Sequence, residues 1–253
     1  MKNEFKIFLT ALMFYTRIPV PENTGYSEKN LNKASRYFPL IGIIVGGTGA
    51  LVFWGTNYLF SVQISILMSM GIMILLTGAF HEDALSDFCD GFGGGFSKDK
   101  ILSIMKDSHI GTYGAIGLII LLLSKFFLLS EFNPANIPLI LIVAHAHSRI
   151  YPVILIYTSK YVREGDDSKS KSVGKKQSIS SLFIAIIFGC MPLLLIETIV
   201  IPFLLIANVL IFIFFRYYIH KKIGGYTGDV LGTLQQFTEI GFYLSYLITF
   251  QII

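Results

Sequence analysis

An all-α, polytopic membrane fold is what this chain predicts: about seven transmembrane helices plus a short N-terminal interfacial or re-entrant helix, joined by acidic loops. Three observations carry that expectation. Hydrophobic residues make up 53% of the chain and charged residues only 14%, which sets it apart from a water-soluble domain. Uncharged runs recur at the length a helix needs to cross a bilayer, about 20 residues. The basic residues are also sorted by connection: of 20 Lys and Arg, all but Lys125 and Arg149 precede, end or follow the expected spans.

Taken in order, the first apolar piece, Phe5–Tyr15, is too short to cross comfortably and holds polar Thr10, so it is expected to lie at the interface or re-enter. Spans are expected near 39–60, 64–80, 110–129, 136–158, 179–196 and 199–219, with a last one in a helix running from 230 to 253. The connections near 61–63, 130–135 and 197–198 carry no Lys or Arg. The N-terminal segment and the alternate connections carry the rest, so the positive-inside rule places the N-terminus and every charged loop in the cytoplasm. Met1-Lys2-Asn3-Glu4 lacks a signal-peptide cleavage pattern, so the N-terminus is expected to be retained. No Pro/Ser-rich linker divides the chain, and residues 1–253 read as one integral-membrane domain. Cys89 and Cys190 have neither disulfide nor metal-binding spacing and read as buried small apolar residues.

The most informative stretch is His81-Glu82-Asp83-Ala84-Leu85-Ser86-Asp87-Phe88-Cys89-Asp90-Gly91. Asp83, Asp87 and Asp90 stand at i, i+4 and i+7, within about 60° of arc on a helix. Carboxylates stacked so closely repel unless a cation sits among them. Hard oxygen ligands on one helical face suit Mg²⁺, or Mn²⁺, bridging to substrate phosphates. A solvated helix face is the plainer alternative. Glu82 is turned about 100° from Asp83 and faces elsewhere. His81 also leaves the acidic face; capping, hydrogen bonding and general acid–base work all remain open to it. Gly91-Phe92-Gly93-Gly94-Gly95 ends the helix and lets backbone approach a ligand, which makes Gly94 a candidate substrate contact, although a bare helix stop explains it equally well.

Further candidates lie at the ends of later spans. Lys106, Asp107 and Ser108 bring a cation, a carboxylate and a hydroxyl to the same membrane face, or Asp107 and Ser108 simply cap the next helix. Gly224-Gly225-Tyr226-Thr227-Gly228-Asp229 opens the last helix, where Thr227 or Asp229 is an N-cap, a phosphate contact or a metal-bound carboxylate. Gln235, Gln236 and Glu239 follow, and Glu239 has no evident local partner. Lys125 and Arg149 are costly in a bilayer: snorkelling accounts for Lys125 better than for Arg149, which is placed to reach an anionic substrate. His145 and His147, two apart, fall on different faces and do not suggest a two-histidine metal site. The segment 159–178 reads either as a solvated connector touching anionic headgroups or as a substrate cover.

These blocks, in this order, resemble the cobalamin synthase family (adenosylcobinamide-GDP ribazoletransferase) over nearly the whole chain. The matching blocks are Ala11 to Pro21; Arg36-Tyr37-Phe38-Pro39-Leu40-Ile41-Gly42; His81, Asp83, Asp87, Asp90 and Gly91; Lys106-Asp107-Ser108 with Gly111 to Gly114; and Gly224 to Asp229 with Leu231, Gly232 and Glu239. The chain departs from the family pattern at Glu82, Ala84, His109 and Gln235-Gln236, but no carboxylate of the triad is lost. The resemblance implies that α-ribazole, or its 5′-phosphate, attacks the cobinamide-side phosphorus of adenosylcobinamide-GDP, giving adenosylcobalamin, or its 5′-phosphate, and GMP. It implies a metal held by Asp83, Asp87 and Asp90, with Asp107 or Asp229 completing its shell or activating the attacking hydroxyl, and Lys106 and Arg149 contacting phosphate. It further implies a multi-pass protein of the bacterial cytoplasmic (inner) membrane whose partners are these substrates, lipid, and a second copy or other cobalamin-assembly enzymes, not nucleic acid. The rivals are a CDP-alcohol-type phosphotransferase, a membrane-embedded prenyltransferase, and a cation transporter. The transporter fits poorly, because the acids gather in loops while the spans hold basic residues.

Overall fold

The computed structural model describes residues 2–24, 27–107, 109–163 and 178–252. Those residues fold almost entirely as helix, with a single isolated β-bridge between Tyr161 and Tyr226. The chain runs α1 (Lys2–Tyr15), α2 (Glu28–Ala34), α3 (Phe38–Thr56), α4 (Val62–Thr77), α5 (Phe80–Gly94), α6 (Lys98–Ile104), α7 (Thr112–Ser130), α8 (Ile137–Ser148), α9 (Ile150–Thr158), α10 (Ile179–Cys190), α11 (Val200–Ile223) and α12 (Gly228–Ile252). Short 3₁₀ turns precede α2 and α3 and follow α10.

Four stretches are long and apolar enough to cross a membrane: Asn30–Thr56, Thr112–Ser130, Ile137–Thr158 and Val200–Ile223. The pair α4 and α5 passes only when taken together, giving up to five, and Ile179–Leu195 is a shorter apolar helix. About seven crossings were expected from hydropathy. The difference arises at α4, which passes only with α5 and is bent from it by 85°, at the shorter Ile179–Leu195, and at α12. In α12 the polar residues Gln235, Gln236 and Glu239 are buried among other helices, so this helix does not need an all-apolar surface.

The bend between α4 and α5 is made by two consecutive left-handed residues, Gly78 (φ 66°) and Ala79 (φ 56°). Arg17 lies over this turn; its backbone N–H donates to Leu76 O at 2.7 Å, and a Cβ on Gly78 would meet its Nε at 2.3 Å. Small residues set the other close approach. Gly42 and Gly46 let α3 lie against α8, where a Cβ at Gly42 would come within 2.2 Å of His145 O. Pro152 has no N–H to offer the Ser148 carbonyl, and Thr238 Oγ1 of α12 donates to that carbonyl instead at 3.1 Å. The expected span near 136–158 is thereby divided into α8 and α9 around Arg149. Helix α5 packs between α7 and α12, and α11 closes over α12.

A candidate active site at the mouth of an aromatic cavity

The bend at Gly78 and Ala79 directs the start of α5 toward the start of α12, and a cavity of about 480 Å³ opens between them. His81, Asp83 and Ala84 line it from α5; Asp229, Leu231 and Gly232 line it from α12. Phe14, Tyr15, Phe38 and Phe80 form an aromatic wall, and Pro152 and Ile156 add an apolar one from α9. Tyr15 stacks on Phe38 with ring centroids 4.3 Å apart, so the wall is packed in itself.

Arg163 closes the lip. The segment after α9 is stitched to the turn before α12, where Val162 N donates to Tyr226 O at 3.1 Å and Tyr226 N to Lys160 O at 2.9 Å. Thus held, Arg163 Nη2 donates to Asp229 Oδ2 and to Met105 O, each at 2.9 Å. Burial pushes the Asp229 carboxyl above the usual carboxylate range; Arg163 opposes the shift and Asp83 adds to it. Arg163 was not singled out from sequence as a site residue. In the sequence it is one of several cations past the end of a span, and nothing in the spacing links it to Asp229.

The three aspartates of α5 have different surroundings. Asp83 is exposed on the lip, and Asp87, one turn on, is half-buried in the field of Asp229 and Asp83. Asp90 is buried and accepts from the backbone N–H groups of Gly111 at 2.7 Å and Gly114 at 2.8 Å. It caps the N-terminus of α7 from another helix, the task for which Asp107 and Ser108 were the sequence candidates. Each of its oxygens thus already accepts one backbone N–H, whereas Asp83, Asp87 and Asp229 carry no such bond to a helix start among the described residues. Among the described residues no three His, Cys, Asp or Glu side chains converge closely enough to cage a metal ion by themselves. The donor chemistry still fits Mg²⁺, which is commonly held by one or two carboxylates with substrate phosphates completing its shell.

His81 lies on the wall between two cavities. It is 2% exposed, it stacks on Phe38 with centroids 5.7 Å apart, and its Nε2 has no hydrogen-bond partner among the described residues. Behind it, a smaller cavity of about 20 Å³ is lined by Lys125, His145, Arg149, Gln236 and Glu239 among others. Here Lys125 Nζ pairs with Glu239 Oε1 at 2.8 Å, and Gln235 Nε2 and Tyr243 Oη donate to the same carboxylate at 2.7 and 3.2 Å. Of the two readings open to Lys125, snorkelling is set aside: at 6% exposure it is an inward partner of Glu239, the residue for which sequence offered none. Arg149 is 1% exposed, donates to His145 O at 2.7 Å and lies 5.3 Å over the Phe38 ring, so that ring separates it from the outer cavity. Glu82 faces inward, where Gln236 Nε2 donates to it at 3.3 Å.

The remaining candidates do not line the cavity. Lys106 and Asp107 are exposed in the turn after α6, where Asp107 Oδ1 is 2.6 Å from His109 Nδ1. That contact lowers the Asp107 pKa and raises that of His109. Ser108 lies outside the described residues. Thr227 is buried, and its Oγ1 accepts from Val230 N at 3.3 Å as the N-cap of α12. Gly94 is the exposed last residue of α5 and does not line the cavity.

A family profile described as cobalamin-5-phosphate synthase matches residues 7–247. A Vibrio parahaemolyticus protein named adenosylcobinamide-GDP ribazoletransferase is 42% identical over 254 aligned positions, covering 99% of this chain and 95% of its own. Proteins of the same name from Shewanella sp. (strain W3-18-1) and Shewanella oneidensis are each 44% identical, with 97% of this chain and 95% of theirs covered. No solved structure matches the chain.

Proposed function

We propose, from the premise that this chain belongs to the cobalamin-5-phosphate synthase family, that it transfers the phosphocobinamide moiety of adenosylcobinamide-GDP to α-ribazole or α-ribazole 5′-phosphate. The products are adenosylcobalamin, or its 5′-phosphate, and GMP. The observation that carries the reading is that His81, Asp83 and Asp229 line one cavity, with a buried imidazole nitrogen that has no partner among the described residues.

In this reading the acceptor's ribose hydroxyl attacks the cobinamide-side phosphorus, a new P–O bond forms, and the bond from that phosphorus to the GMP oxygen breaks. His81 Nε2 receives the hydroxyl proton; the apolar stack on Phe38 holds the ring at the wall. Arg163, already at the lip, turns from Asp229 to the diphosphate as the substrate enters. Mg²⁺, or Mn²⁺, would be held by one or two of Asp83, Asp87 and Asp229 and would neutralise the diphosphate and the departing GMP. The positive-inside pattern supports a site on the cytoplasmic side of the bacterial inner membrane.

The test is GMP release by detergent-solubilised protein given adenosylcobinamide-GDP and α-ribazole, with Mg²⁺ and then with EDTA. Metal-dependent GMP appearing with a cobalamin product is expected. Folded protein that yields neither would overturn the assignment, and GMP release undiminished by EDTA would overturn the metal role.

A further inference from the structure

We infer that the 480 Å³ cavity is the acceptor subsite: it takes the flat aromatic base of the neutral ribazole-type nucleoside, base inward, and leaves both the corrinoid and the guanine nucleotide outside its mouth. This rests on the proposed transfer reaction and says which reactant occupies which part of the site.

Three features of the cavity argue for that occupant. The first is size. A volume of about 480 Å³ falls in the range of small-molecule sites and matches one nucleoside, whereas a corrin macrocycle with its side chains does not fit inside it. The second is the lining. Phe14, Tyr15, Phe38 and Phe80 line it together with Pro152 and Ile156, and Phe14 and Phe80 keep accessible ring surface against which a planar heteroaromatic group can stack. The third is charge. Among the described lining residues the one cation is Arg163, already paired with Asp229, and Asp83 adds a further negative charge. The interior therefore offers nothing to a diphosphate, and its mouth repels one until a cation intervenes. An uncharged base enters without that penalty.

The acidic groups and the imidazole come from two helix starts. His81, Asp83 and Asp229 stand where α5 and α12 begin, so a base seated against the rings directs its ribose toward them. The hydroxyl that must lose a proton then lies on the His81 side of the cavity, where Nε2 is buried without a partner among the described residues, and the phosphorus it attacks approaches from outside.

The test uses the full chain in detergent, with α-ribazole binding followed by calorimetry and GMP release by steady-state kinetics. Phe14→Leu removes a ring from the wall without touching His81, and Ile156→Phe fills the cavity from α9. Each is expected to weaken α-ribazole binding and raise its KM about threefold to tenfold, the size of one lost aromatic contact. The KM for adenosylcobinamide-GDP should stay within about twofold. The two substitutions lie on different helices, so failure of one to fold leaves the other to decide. Unchanged α-ribazole affinity in a folded variant, or a raised KM for adenosylcobinamide-GDP alone, would overturn the subsite. Failure of the wild-type protein to release GMP would instead overturn the reaction beneath it.

Discussion

Asp90 was read from sequence as a metal ligand, and the structure uses it as a helix cap; Asp90→Asn distinguishes the two roles. Both oxygens of the wild-type carboxylate accept backbone N–H groups at the start of α7, at 2.7 and 2.8 Å, from a side chain only 9% exposed. An amide keeps one acceptor oxygen, turns a donor toward the other N–H, and removes the charge that complements the helix dipole. A hydrogen bond to a charged group contributes about 1.5–3 kcal/mol, and the dipole interaction about 0.3–1 kcal/mol. Losing one such bond and the charge should cost about 2–3 kcal/mol. For a chain of this size that lowers Tm by roughly 5–10 °C, measurable by scanning fluorimetry in detergent. Asp87→Asn is the counterpart: it removes a carboxylate from the field of Asp83 and Asp229, so Tm should hold or rise while stabilisation by added Mg²⁺ falls. If Asp90→Asn instead kept its Tm and lost the Mg²⁺ response, Asp90 would be a ligand and the capping argument would fail.

Other outcomes follow from the same geometry. Lys125→Met leaves Glu239 buried without its cation and should destabilise by about 3–5 kcal/mol, whereas Lys125→Met with Glu239→Gln should recover part of that; a double variant no better than the single would contradict the pairing. Arg163→Gln frees Asp229, so Mn²⁺ measured by paramagnetic resonance without substrate should bind about threefold to tenfold tighter, and unchanged affinity would remove Arg163 from the lip. His109 titrates above its ordinary 6.5 because Asp107 sits beside it. Its pairing with Asp107 is thus fully present below that value and lost as pH rises through the raised one. Asp107→Asn should bring the His109 resonance back toward an ordinary titration, and no movement would argue against the pair. Gly42→Ala puts a Cβ 2.2 Å from His145 O and should cost about 1–3 kcal/mol by forcing α3 from α8; an unaltered Tm would show that this contact relaxes freely.

The bilayer-length runs were legible because hydropathy is a local property, and α3, α4, α7 and α11 fall near the expected stretches. The acidic stripe on α5 was legible for the same reason, since spacings of four and three residues fix which side chains share a helical face. What one stripe could not reveal is that its members meet different neighbours. Asp90 finds the start of α7 through Gly111 and Gly114, a contact set by how α5 packs on α7. Arg163 and Asp229, and likewise Lys125 and Glu239, are far apart in the chain, and their pairing depends on helix packing that no periodicity encodes. The aromatic wall is similar: Phe14, Phe38 and Phe80 each read as an ordinary apolar residue until α1, α3 and α5 bring them together.

The pairing inside the bundle also bears on how the protein is made. Synthesis runs from the N-terminus, so α7 and α8 bring Lys125, His145 and Arg149 to the membrane before α12, with Glu239, exists. Until then these helices hold basic groups whose chief carboxylate is still in the ribosome, and the segments carrying them insert less favourably than their apolar neighbours. The last helix is thus the keystone of assembly. A chain ending before Gly228 should be held by quality-control proteases or chaperones, and a pulse-chase in which it matured as stably as the full chain would refute that order of events.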